Sequence, residues 1–111
     1  MGRTKRTQQF EQNEQYKPLN EKERNLVRAF SLIKNEEESA AFLRDLMTRA
    51  EIEEFSNRLE LAKQLMKGHP YLQIANEAGT STTTVTRVAH WLFNGCGGYF
   101  TILKRMLKKG Y

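Results

Sequence analysis

Apolar residues recur at spacings of three and four along most of the chain, which is the pattern of helices that bury one face. Three segments begin with a capping side chain followed three residues later by glutamate, at Asn20, Asn35 and Thr48. Such a pair satisfies the free amides of a helix start, so helices are predicted to begin at these positions. The third, which continues to Gly68, is predicted to be the longest.

Each of these helices has one apolar face. Its members are Leu26, Phe30 and Ile33 in the first helix, Phe42, Leu43, Leu46 and Met47 in the second, and Ile52, Phe55, Leu59, Ala62 and Met66 in the third. The face of the third helix, flanked by Leu61 and Leu65, is longer than a short neighbouring helix would cover. It indicates packing across a dimer interface, with an ordinary core helix in one subunit as the alternative.

Three more helices are predicted after Gly68. Pro70 is expected to open a short helix that Gly79 ends, and Ser81 to cap a helix that runs to about Phe93. A last helix, from Tyr99 to Lys109, should turn Ile102, Leu103, Met106 and Leu107 inward and Lys104, Arg105, Lys108 and Lys109 outward. No segment is typical of a strand, so the sequence predicts an all-α fold of six helices.

The 111 residues allow one domain with a modest core, preceded by a short arm. Residues 1–18 have few apolar side chains and are predicted to be a flexible basic arm, and residues 19–111 a helical domain. Arg3, Lys5 and Arg6 of the arm either contact phosphates or only keep it solvated. The single cysteine, Cys96, and the absence of a signal-like or membrane-spanning apolar run lead us to expect a cytoplasmic protein.

The distribution of charge says more than its net value of +5. Residues 1–18 carry four basic and two acidic side chains, residues 19–80 nine and eleven, and residues 81–111 five and none. An acid-free basic segment favours a polyanionic partner, because cations that neutralise phosphates release counterions from DNA. An anionic membrane fits less well, since the basic residues are scattered over several elements.

Residues 71–90 have the spacing of a helix-turn-helix. The motif needs a small residue where the two helices touch, a glycine four positions later to leave the first helix, and an apolar plug six positions after that. Ala75, Gly79 and Val85 occupy these positions, and Ile74, Ala78 and Val88 are expected to complete the apolar contacts. An ordinary helical hairpin is the alternative.

The second helix of this motif begins with an unusual run of hydroxyl residues. Threonine is a mediocre helix former, so helix stability does not explain the run, whereas short hydroxyl side chains admit a helix to the major groove. The candidate DNA-binding residues are Ser81, Thr82, Thr83, Thr84, Thr86 and Arg87, with Gln73 on the first helix.

Residues 46–107 resemble the Trp repressor superfamily, and within it a bacterial subgroup labelled YerC/YecD. The matching stretches are Leu46-Met47-Thr48 with Glu51, Arg58-Leu59, Leu65-Met66-Lys67-Gly68, Asn76-Glu77-Ala78-Gly79 and Thr84-Val85-Thr86-Arg87. The resemblance implies a six-helix chain, an intertwined homodimer, and a recognition helix presented by each subunit to paired DNA half-sites.

In that family tryptophan acts as corepressor, and the resemblance places its pocket at Thr48, Arg58 and Arg87. The glycine and serine that also line the family's pocket are replaced here by Val88 and Trp91, both larger. A close-packed cavity does not accept that extra volume together with an indole ligand, so we predict a vestigial pocket that does not bind tryptophan. Trp91 either fills the pocket itself or is a core aromatic residue.

Other chemistries find little support in the residues. The spacings of His69, His90 and Cys96 do not match a metal site, and Glu36, Glu37 and Glu38 lie where a helix start favours acids. We therefore expect no enzymatic activity, metal or cofactor. The sequence predicts a homodimeric, sequence-specific DNA-binding transcriptional regulator, a repressor by resemblance. The alternative is a helical protein-interaction module on the same scaffold.

Overall fold

The computed structural model describes residues 14–111, which form six α-helices and no strand. The helices are α1 (Glu21–Ser31), α2 (Glu36–Leu46), α3 (Arg49–Met66), α4 (Tyr71–Ala78), α5 (Thr82–Asn94) and α6 (Gly98–Lys108). The predicted all-α class and the six helices are confirmed, and α3, with 18 residues, is the longest of them.

The first three helices start where their capping residues predict. The amide of Glu23 donates to Asn20 Oδ1 and that of Glu38 to Asn35 Oδ1, each over 2.9 Å. At α3 the bonds are reciprocal, because the Glu51 amide donates to Thr48 Oγ1 over 3.1 Å while the Thr48 amide donates to Glu51 Oε1 over 3.0 Å. Side chains thus satisfy amides that an uncapped helix leaves unpaired.

The described residues divide into two compact units, and α3 runs from one into the other. The first unit, residues 16–56, contains no buried residue. Its contacts are between half-exposed side chains, such as the edge-to-face pair of Phe30 and Phe42 with ring centroids 6.0 Å apart.

The second unit contains the hydrophobic core and comprises residues 57–111 with Glu14 and Gln15. The buried residues are contributed by four helices: Leu61, Ala62 and Leu65 of α3, Ile74 and Ala75 of α4, Val85, Val88, Ala89 and Leu92 of α5, and Leu103 of α6. Since α5 supplies four of them, the core fixes the orientation of that helix.

Three expectations about individual positions are wrong. Pro70 is not the first helical residue but the extended N-cap of α4, with φ −65° and ψ 146°. Ala78 is exposed at the end of α4 and completes no buried contact, and Ile102 is 48% exposed instead of inward. The α6 core contact is made instead by Leu103, which is fully buried.

Only the end of the predicted arm lies within the described residues, and Arg3, Lys5 and Arg6 lie outside them. Residues 14–18 form no helix. The Glu14 amide donates to the Gly95 carbonyl oxygen over 3.1 Å, and the Tyr16 hydroxyl donates to Glu23 Oε1 over 2.6 Å. This segment is therefore hydrogen bonded at two points.

Candidate nucleic-acid interface

Helices α4 and α5 pack as a helix-turn-helix around three apolar side chains. Ala75 and Ile74 on α4 are each 2% exposed, and Val85 on α5 is fully buried. Because Ala75 has only a methyl group, it permits the close approach of α5. The roles predicted for these residues agree with their burial.

The turn between the helices depends on Gly79. This residue has φ 69° and ψ 34°, the left-handed conformation in which a side chain is strained. Beyond it, the Thr80 amide donates back to the Ala75 carbonyl oxygen over 2.9 Å, which closes the end of α4. Ser81 follows as the cap of α5, and its Oγ accepts a hydrogen bond from the Thr84 amide over 3.2 Å.

The hydroxyl residues at the start of α5 differ in their engagement. The Ser81 and Thr84 hydroxyls lie 3.1 Å apart and share a hydrogen bond, and Thr86 Oγ1 donates to the Thr82 carbonyl oxygen over 2.8 Å. Within residues 14–111, no hydrogen bond engages the hydroxyls of Thr82 and Thr83. These two exposed hydroxyls are therefore the ones ready to meet a ligand, while the other three also organise the helix start.

One face of α5 points away from the core. Thr83, Arg87 and His90 follow one another at spacings of four and three, so they share a helix face, and all three are exposed. The Arg87 guanidinium has no partner within the described part of the chain. The sequence reasoning missed His90, although its spacing from Arg87 and Thr83 could have identified it.

Gln73, the candidate on α4, is exposed but engaged. Its Nε2 donates to Glu77 Oε2 over 3.2 Å, one turn further along the helix. A contact from Gln73 to DNA would have to replace this bond, which is exposed and therefore cheap to exchange with water or another acceptor.

The residues predicted to mark a vestigial ligand pocket belong to different parts of the structure. Thr48 lies in the first unit, where its hydroxyl accepts from the Glu51 amide, whereas Arg58, Arg87, Val88 and Trp91 lie in the second. Arg58 is close enough to influence Tyr99: burial raises the pKa of the Tyr99 hydroxyl, and the positive charge of Arg58 opposes that rise.

The two residues that add bulk have different surroundings. Val88 is 6% exposed and forms part of the core, but Trp91 is 50% exposed and is not a core aromatic residue of the single chain. The Trp91 ring lies edge-on to His90, with centroids 5.4 Å apart. Its other neighbour is Gly95, where an added Cβ would lie 3.0 Å from Trp91 Cε3 and 2.2 Å from the Trp91 carbonyl oxygen.

Two further classes of site were sought in residues 14–111. No helix there is long and apolar enough to span a bilayer. No group of three or more His, Cys, Asp or Glu side chains in that part of the chain could hold a metal ion. What this part of the chain presents is the helix-turn-helix and the face of α5 that carries Thr83 and Arg87.

A family model described as Trp repressor protein matches residues 21–107, a range that includes all six helices except Lys108. The chain belongs to the Trp repressor family. In this family of DNA-binding regulators, the helix-turn-helix is the element that meets DNA. The matched range extends well beyond the motif, so membership rests on the whole helical scaffold.

Three relatives show how far the similarity reaches. The uncharacterised protein YerC of Bacillus subtilis (strain 168) is 39% identical over 74 residues, which cover 67% of this chain and 71% of YerC. A TrpR-like protein from Eubacterium eligens ATCC 27750 has a TM-score of 0.71 at 34% identity, covering 79% of this chain and 91% of its own. A protein from Staphylococcus aureus, provisionally described as a Trp repressor, has a TM-score of 0.66 at 40% identity, covering 75% and 83%. These relatives support both the Trp-repressor-like fold and the resemblance to the YerC subgroup.

Proposed function

We propose that the protein is a homodimeric, sequence-specific DNA-binding regulator that reads the major groove with α5. The observation that carries this proposal is the exposed face of Thr83 and Arg87 on a helix whose opposite face is locked into the core by Val85, Val88 and Leu92. A reading helix must be held rigidly on one side and be unobstructed on the other, and α5 meets both conditions.

The chemistry of the exposed face suits base and phosphate contacts. Arg87 can donate two parallel bonds to guanine O6 and N7 or bind a phosphate. Thr83 offers a hydroxyl that has no partner in residues 14–111, together with a methyl group that can contact a thymine methyl. Since the α5 sequence has no acidic residue, no carboxylate on this helix repels the phosphates. We assign Ser81, Thr82, Thr84 and Thr86 to the same interface as supporting contacts, and Gln73 as a contact from α4.

Homodimer formation is supported by the first unit. None of the residues of α1 and α2 is buried, although Leu26, Val27 and Phe30 of α1 are 42%, 46% and 52% exposed. Exposed apolar side chains on amphipathic helices mark an interaction surface, and a unit without buried residues gains little stability alone. A second copy of the chain would cover this surface and place two copies of α5 on one palindromic site.

We further propose that DNA binding does not require tryptophan. Val88 is buried in the core, so its side chain ties α5 to the rest of the second unit without any ligand. Calorimetric titration with L-tryptophan should therefore show no saturable binding at micromolar concentrations. Saturable binding that strengthened DNA affinity would contradict this part of the proposal, and leave the assignment of α5 intact.

Repression is the regulatory direction that family membership favours, since a dimer bound over a promoter excludes polymerase. Such a regulator would act in the bacterial cytoplasm, on the nucleoid. No enzymatic step is assigned to it. Deleting the gene should raise transcription beside the sites that the protein occupies, and a fall in transcription at most of them would indicate an activator.

The decisive experiment selects binding sites from a randomised duplex pool and measures affinity for the enriched site and for a scrambled duplex. We expect a palindromic consensus, a preference of about a thousandfold or more, and an affinity that falls steeply with salt. The rival function is a helical protein-interaction module, which the exposed apolar residues of α1 would also suit. It predicts no enriched sequence and weak binding that is equal on both duplexes.

A further inference from the structure

The face of α6 opposite Leu103 is the most strongly charged surface outside the helix-turn-helix. Leu103 is fully buried, while Lys104, Arg105, Lys108 and Lys109 are all exposed. Residues 81–111 contain no acidic side chain, and none of these four cations is in an ion pair within residues 14–111. The result is a continuous basic face, which we define by these four residues.

This basic face is held in a fixed shape up to the end of the described chain. After α6, Gly110 adopts φ 86°, and the amides of Gly110 and Tyr111 donate back to the carbonyl oxygens of Leu107 and Met106 over 3.1 and 3.0 Å. Lys63 Nζ on α3 donates to the main-chain oxygen of Tyr111. The cations therefore project from a capped helix and not from a fraying tail.

Helix stability does not account for the arrangement. Lys104 with Lys108, and Arg105 with Lys109, are like-charged pairs at a spacing of four, and such pairs destabilise a helix. The helix dipole favours cations in the last turn, but one or two suffice for that effect and acids elsewhere on α6 would still be tolerated. A partner that supplies negative charge explains both the cations and the absence of acids.

The fold also narrows the class of partner. A helix that binds a membrane surface must insert its apolar face into the lipid, but α6 turns Leu103 into the core and leaves only Ile102, at 48%, substantially exposed. Four cations from Lys104 to Lys109 span about 7.5 Å at about 1.5 Å per residue. Duplex DNA presents about four phosphates over that length, at about one per 1.7 Å of helix axis.

We infer that the basic face of α6 binds DNA phosphates without regard to sequence, as a second contact to the duplex that α5 reads. The inference rests on the proposed DNA-binding function and adds an anchoring surface to it. Because phosphate contacts carry no sequence information, this surface raises affinity and salt dependence, and does not change the choice of site.

The test compares the full-length protein with the variant K104Q/K108Q/K109Q, and uses K17Q/K22Q/K34Q as a control of equal charge change at exposed lysines. Gln and Lys have similar helix propensities, so α6 should persist, and circular dichroism verifies this. Fluorescence anisotropy over roughly 50–200 mM salt gives the affinity for the enriched and the scrambled duplex. The α6 variant should lose about 0.9 of salt slope per contact and chain, and about tenfold to a hundredfold in affinity on both duplexes, with their ratio unchanged.

An unchanged affinity and slope, or an equal loss in the control variant, would overturn the inference while leaving α5 as the reading helix. Failure of the unmodified protein to prefer any duplex would instead refute the proposed function. Binding to phosphatidylserine vesicles that the α6 variant loses, with DNA affinity unchanged, would assign the basic face to a membrane and also overturn the inference.

Discussion

Replacement of Gly79 by alanine isolates the backbone requirement of the helix-turn-helix. A Cβ added at this position would meet no atom within 4 Å, so the substitution creates no clash. What it does create is strain, because φ is 69° and L-residues are disfavoured in that conformation. The Gly79→Ala variant should therefore lose stability through the backbone alone.

The expected loss follows from that conformation. Holding an alanine in the left-handed region costs about 1–2 kcal/mol, and about 1 kcal/mol lowers the melting temperature of a domain of this size by roughly 4–8 °C. Gly79→Asn should cost less, because asparagine tolerates the left-handed region better than other side chains do.

Gly98→Ala is the matched control. Gly98 is the first residue of α6, is absent from the positive-φ glycines, and also has open space where a Cβ would lie. Alanine there should be neutral or stabilising by up to about 1 kcal/mol. Thermal and denaturant unfolding at one fixed protein concentration compare the variants, since the stability of a dimer depends on concentration. A Gly79→Ala protein as stable as the Gly98→Ala protein would refute the reasoning about the turn.

Three further substitutions test separate parts of the structure. Val85→Ala empties part of a fully buried site between α4 and α5 and should lower the free energy of unfolding by about 2–3 kcal/mol, whereas the exposed Thr83→Ala should stay within about 0.5 kcal/mol; equal losses in denaturant titrations would contradict this. Gly95→Ala would bring a Cβ to 2.2 Å from the Trp91 carbonyl oxygen, so we expect lower stability and a shifted fluorescence spectrum of Trp91, the single tryptophan; an unchanged spectrum would argue against this contact. The hydrogen bond from Tyr16 lowers the pKa of Glu23, so Tyr16→Phe should raise that pKa in an NMR titration. Because a lowered pKa stabilises the fold above its unfolded value and the effect disappears as pH falls through the folded value, Tyr16→Phe should destabilise α1 at neutral pH but not in strong acid, and a pH-independent loss would be inconsistent with it.

Local signals made much of the fold predictable. The capping pairs at Asn20, Asn35 and Thr48 place three helix starts, and Ala75, Gly79 and Val85 fix a helix-turn-helix by spacing alone. Each signal depends on chemistry within a few residues, so no knowledge of tertiary packing is needed.

Burial was less predictable, because it depends on which elements meet. Ala78 and Ile102 have the right spacing for an inward face but lie at its margin, and the helix rotation leaves them exposed. Trp91 has the composition of a core residue but is half exposed beside His90. The hydroxyl bonds that distinguish Thr83 from Thr84 and Thr86 also follow from geometry that the sequence does not specify.

The most direct test of the central claim compares the affinities of the unmodified protein, Thr83→Ala and Arg87→Ala for the enriched duplex and a scrambled one at one salt concentration. If α5 reads the major groove, each substitution should lower the preference for the enriched duplex by about 1–3 kcal/mol, roughly five- to 150-fold, with little change in unfolding free energy. Affinity and preference that stayed unchanged in both variants would contradict the account.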